Sequence, residues 1–153
     1  MPSTVPAVKK GLRNWLRTQT GLLPADGVTV YGAADPPAET PDMIVLTGVL
    51  APQTAPVMYP DIREESPTLT GYITAVRPGK GDEAEDAARD RAYALFAVLE
   101  QALETDPTAG GVIPGPVKGR LTQGDLTEHA DQDGDQATRR ATLQWTLAWG
   151  SDY

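Results

Sequence analysis

From Asp82 to Thr105 the chain reads DEAEDAARDRAYALFAVLEQALET, 24 residues without a proline or a glycine. Ala84, Ala88, Ala92, Leu95, Val98, Leu99, Ala102 and Leu103 recur at helical spacing and form one stripe. Glu83, Asp86, Asp90 and Glu104 fall elsewhere on the circumference. Asp82 suits the N-cap, with Glu85 three residues on completing a capping box. Acids crowd the first turns, where the helix dipole is positive. Glu85 and Arg89 add an i,i+4 pair, and Pro107 stops the helix. At 1.5 Å per residue the helix is roughly 36 Å long. A globular chain of this size has a radius of gyration of about 15 Å, so the helix crosses the whole molecule. The rest of the chain must supply an apolar surface of matching length.

Arg139–Trp149 supplies it. Ala141, Leu143, Trp145, Leu147 and Trp149 alternate with Arg140, Thr142, Gln144 and Thr146, the pattern of a strand with one buried face. A face with two tryptophans needs a large apolar partner, and the long helix is expected to lie against Leu143, Trp145 and Leu147. Before it, Val117–Glu128 is extended with weak alternation. The acidic turn HADQDGDQ joins the two as a hairpin, Asp133-Gly134 sitting in the turn.

The N-terminal half reads as a helix and three strands. Ser3–Thr20 places Val5, Val8, Leu12, Trp15 and Leu16 on one face, with Ser3 or Thr4 as cap and Gly21 after its end. Val28–Tyr31 is a short strand. Met43–Leu50, MIVLTGVL, is a buried one. Thr68–Arg77 alternates Leu69, Gly71, Ile73 and Ala75 against Thr70, Tyr72, Thr74 and Val76. Ala34–Pro41 and Ala51–Pro67 are loops, and seven of the fourteen prolines lie between Pro36 and Pro67. So long a stiff stretch tends to be functional or disordered. This order of elements predicts an α+β fold, a single domain over residues 1–153, with helices packed on a mainly antiparallel sheet.

The chemistry-bearing residues form no catalytic pattern. With no cysteine, disulfides, thiolate nucleophiles and zinc–thiolate sites are excluded. Asp131, Asp133 and Asp135 alternate as ligands of a hard cation can. An EF-hand loop starting at Asp131 would need glycine and a carboxylate where Gln136 and Thr142 stand; a solvated hairpin tip accounts for them better. His129, the one histidine, has no serine in a nucleophile elbow to serve. Pro78-Gly79-Lys80-Gly81 lacks the spacing of a phosphate loop and the hydroxyl residue after the lysine. The expectation is no enzyme, no cofactor and no dedicated metal. A net charge of −8 argues against a surface for DNA or membrane. No apolar run is long enough to span a bilayer, and MPSTVPAVKKGLRNW lacks a signal-peptide core.

The chain resembles the tail terminator (tail completion) proteins of long-tailed bacteriophages and related prophage elements, over nearly its whole length. The resemblance rests on an N-terminal helix ending near TGL, on TPDMIVLTG, and on LTGYITAVRPGKG leading into AARDRAYALFAVLEQALETDPTAGG. A last alternating strand ending in WTLAW closes it. It implies a ring, usually of six copies, at the head-proximal end of the tail tube. Such a ring ends tube polymerisation and offers a surface to head–tail connector proteins. The protein would then reside in the virion after assembly in the host cytoplasm. DNA would pass through the lumen without specific binding, which suits an acidic protein. The proline-rich segment Ala34–Pro67 departs from that pattern. Two other readings remain: another neck or head–tail connector, and a small cytosolic enzyme or ligand-binding domain.

Under the ring reading, candidate contacts are the proline-rich loops and the tip Asp131–Asp135, because loops on a rigid framework carry binding. Asp61, Glu64 and Glu65 make the second loop acidic. Lys9, Lys10, Arg13 and Arg17, the one basic region, are either a solvated face or the partners of such acids on an adjacent copy.

Overall fold

The computed structural model describes residues 5–32, 42–50, 53–54, 64–65, 68–112, 120–133 and 136–148. In chain order the elements are α1 (Val5–Leu16), a short 3₁₀ turn (Pro24–Asp26), β1 (Val28–Tyr31), β2 (Asp42–Leu50), β3 (Gln53–Thr54) and β4 (Glu64–Glu65). β5 (Thr68–Pro78), α2 (Asp82–Thr105), β6 (Arg120–Asp133) and β7 (Gln136–Ala148) follow. Five strands make one sheet in the order β1-β2-β5-β7-β6, while β3 and β4 form a separate ribbon. The β2–β5, β5–β7 and β6–β7 pairs are antiparallel, and β1–β2 is parallel. The fold is α+β.

The register explains the core. Val30 lies beside Ile44, Ile44 opposite Ile73 and Ile73 opposite Leu143, so one layer runs across four strands. Leu46, Gly71 and Trp145 form the next layer. These residues cluster with Val8, Leu12 and Leu16 of α1 and with Ala88, Ala92, Leu95, Phe96, Leu99 and Leu103 of α2. Both described helices therefore lie on one side of the sheet, α1 over β1 and β2, α2 over β5 and β7. The expected packing of the long helix on Leu143, Trp145 and Leu147 holds.

Gly71 has a specific part in that packing. A Cβ there would stand 2.4 Å from the Trp145 ring and 2.4 Å from the Val45 carbonyl oxygen. The indole fills the space that glycine leaves, and Trp145 is 1% exposed.

The differences from the sequence reading have local causes. α1 ends at Leu16 rather than Thr20, because the Trp15 carbonyl accepts bonds from the Thr18 backbone and hydroxyl and from the Gln19 amide side chain. Gly21 keeps its positive φ of 92°, but in the following turn. α2 spans the expected residues, but Gly81 rather than Asp82 holds the N-cap position, with no side-chain cap and so no capping box with Glu85. Asp82 is thus its first residue, and the acids there act through the dipole alone. Arg89 pairs with Asp86 and Glu128 instead of Glu85. Ala51–Pro67 contains the small β3–β4 ribbon. Strand β6 runs on to Asp133, which pairs with Gln136, so most of HADQDGDQ is ladder. The register shift between Gln123 and Leu126 is a bulge, and it is what blurred the alternation there.

DPTAGG after α2 is a packed turn. The Asp106 carboxylate accepts the Thr108 hydroxyl at 2.9 Å and the Gly110 amide at 2.7 Å. Ala109, Gly110 and Gly111 all have positive φ, and Ala109 is fully buried. The turn docks on α1, with Gly110 against Trp15 and Val112 against Gly11. The Thr108 hydroxyl and the backbone amides of Gly110 and Thr108 hold the Asp106 carboxyl below its ordinary 3.8. A depressed carboxyl contributes stability that is fully present above its unfolded pKa and lost as pH falls through the folded one. Wild type and Asp106→Asn should therefore differ by a constant amount in denaturation midpoint near neutrality. The gap should narrow only in acid below the ordinary carboxylate range.

Candidate interaction surfaces

The basic residues of α1 and of the turn that follows it serve first to close one edge of the sheet. Arg17 donates from Nε and Nη2 to the Val30 carbonyl, at 3.0 and 2.8 Å. Lys9 Nζ donates to the Thr47 carbonyl at 3.0 Å. Pairing of β1 with β2 stops at Tyr31↔Val45, so Thr47 lies just past the end of the edge strand. The two cations cover backbone oxygens on the side where β1 is outermost. The aliphatic stem of Arg13 lies against Gly32, and Lys10 is exposed. None of the four cations pairs with a carboxylate among the described residues, so their charge stays uncompensated there. Arg17→Ala should cost about 1–2 kcal/mol, the scale of charge-assisted hydrogen bonds at a half-buried site. Arg17→Lys should recover only part of it in urea denaturation, because an ammonium cannot reproduce the two-pronged contact.

The opposite edge is β6. Thr122, Gln123, Asp125, Thr127, His129 and Ala130 are exposed along it. Beside it a shallow depression of about 260 Å³ is lined by Glu85, Ala88, Glu128, His129, Ala130, Arg139 and Arg140. Its lining mixes acids and bases, and no serine, threonine or tyrosine is among them. Among the described residues no group of three or more His, Asp or Glu side chains could hold a metal ion.

A third cluster was invisible in the sequence. Asp42, 5% exposed at the start of β2, accepts two bonds from Arg77 at 2.8 and 3.2 Å and one from Arg91 Nε at 3.0 Å. Arg91 also reaches the Asp26 carbonyl. Arg89 and Arg91 stand two positions apart, on opposite flanks of α2. One ties the helix to Glu128 of β6 and the other to Asp42 of β2. The cluster is structural: its groups satisfy one another, and none is aimed at an open site.

Of the other sequence candidates, Glu64 and Glu65 form β4, and Asp131 and Asp133 lie in β6; their side chains are outside the described residues, as are Asp61 and Asp135 altogether. Among the described residues no helix is long and apolar enough to cross a membrane.

No protein-family model matches this chain, and no curated protein matches it in sequence. Among solved structures it is similar to a chain of the virion of a native gene transfer agent (GTA) particle. That match has 15% identity and a TM-score of 0.42, and covers 99% of this chain and 100% of the other.

Proposed function

We propose that this chain is a structural protein of a phage-type virion, acting as a tail terminator. As one domain it would assemble into a ring, usually of six copies, on the head-proximal end of the tail tube. There it would end polymerisation and present a surface to the head–tail connector. The observation that carries this reading is the correspondence between resemblance and fold. Each described stretch that resembles the family falls on an element or junction of the sheet–helix framework: α1 and its TGL turn, β2, β5 into α2, the packed DPTAGG turn, and β7. The candidate contacts between copies or to neighbouring rings are Lys9, Lys10, Arg13, Arg17, Asp61, Glu64, Glu65, Asp131, Asp133 and Asp135.

The test is to add the purified chain to polymerising tail-tube protein and measure tube length by electron microscopy. Substoichiometric amounts should shorten the tubes and leave a cap at one end. Unchanged length, with binding to the head-side portal ring instead, would move the protein to another connector role.

A further inference from the structure

The two edges of the sheet carry opposite charge. Residues 5–17 hold Lys9, Lys10, Arg13 and Arg17 and no acid, whereas β6 holds Asp125, Glu128, Asp131 and Asp133 against Arg120 alone. With β1 and β6 at the two ends of a five-stranded sheet, four spacings of about 4.8 Å set them roughly 19 Å apart. That exceeds the Debye length of about 8 Å at physiological ionic strength, so a chain cannot neutralise its own edges against each other.

We propose that the α1 flank of one copy binds the β6 edge of the next, with Lys10 and Arg13 facing the exposed Asp125. This inference rests on the ring reading and names its subunit contact. Lys9 and Arg17 already occupy backbone carbonyls on the β1 side, which closes that side to an added strand and leaves a side-chain contact. The bulge at Gln123–Leu126 and the acids of β6 oppose plain strand-to-strand pairing on the other side. The occupant fits a second copy rather than nucleic acid, since the acidic edge and a net charge of −8 repel phosphates. Two different surfaces meeting head to tail generate a closed ring when the rotation closes.

The experiment is sedimentation of the full chain across a salt series, using Lys10→Glu, Asp125→Lys and the double variant. Both positions are exposed and have no described partner, so folding should be unchanged, with circular dichroism as the control. Each single variant should weaken self-association about tenfold or more at low salt, by placing like charges opposite each other. Mixing the two single variants in equal amounts should restore assembly, because each repaired contact then alternates around the ring; the double variant should assemble alone. Single variants that assemble like wild type would overturn the edge pairing and leave the ring reading standing. A wild type that stays monomeric at every concentration and salt would overturn both. Loss of duplex-DNA binding on Lys10→Glu, with self-association unaffected, would also overturn the pairing and assign the α1 flank to nucleic acid.

Discussion

Trp145→Ala should lower the unfolding free energy by about 3–5 kcal/mol, the largest single-residue effect expected in this fold. The indole is 1% exposed and sits across the ladder from Gly71, inside the layer between sheet and helix. Trp145→Phe should cost less, since the buried indole Nε1 has no hydrogen-bond partner among the described residues and phenylalanine removes that donor. Gly71→Ala should destabilise by about 3 kcal/mol from the other side of the same contact, by overpacking. Combining Gly71→Ala with Trp145→Leu should rescue only part of the loss. The added methyl would still meet the Val45 carbonyl oxygen, which is backbone and cannot turn away. Urea denaturation of the single and double variants measures this; full rescue by the pair would mean that the strands separate more easily than their register implies.

The second large effect belongs to the Asp42 cluster. Replacing Arg77 and Arg91 together by methionine leaves a buried carboxylate with neither cation, and should cost about 3–5 kcal/mol. Asp42→Asn should cost less, about 1–2 kcal/mol. It leaves two arginines that are 27% and 30% exposed and can turn to water. Converting all three positions to apolar residues of similar volume should return most of the stability lost in the double variant. Equal losses from Asp42→Asn and the arginine pair would show that the carboxylate is hydrated despite its burial.

How much was legible follows from which interactions have a period. α2 was readable to the residue because nothing interrupts its stripe, and β7 because its alternation is clean. Within α2 the stripe missed Phe96, which is buried, and included Val98 and Ala102, which are half-buried. β6 was readable only in part: a bulged edge strand buries little, so its side chains need not alternate. The end of α1 was misplaced because Thr18 and Gln19 compete for the Trp15 carbonyl, an effect of side-chain geometry rather than pattern. The Asp42–Arg77–Arg91 cluster joins residues 35 and 49 apart, with no spacing to announce it. Among the candidate contacts, the cations of α1 and its following turn were visible as charges. Their partners were not, because Lys9 and Arg17 hold backbone carbonyls, which every sequence possesses.

The pairing of β5 with β7 has a kinetic consequence. Thr68 meets Ala148 and Pro78 meets Thr138, so the central seam of the sheet joins residues 80 and 60 apart in the chain. The β6–β7 hairpin, by contrast, closes with Asp133 against Gln136. Loop closure must be met before so distant a seam gains anything from its contacts. The hairpin can therefore form early, while zippering of β5 onto β7 under α2 sets the height of the barrier. Until that seam closes, β7 is itself a bare edge carrying the alternating face of Leu143, Trp145 and Leu147. Refolding at high protein concentration is thus a race between α2 and a neighbouring chain for the same surface.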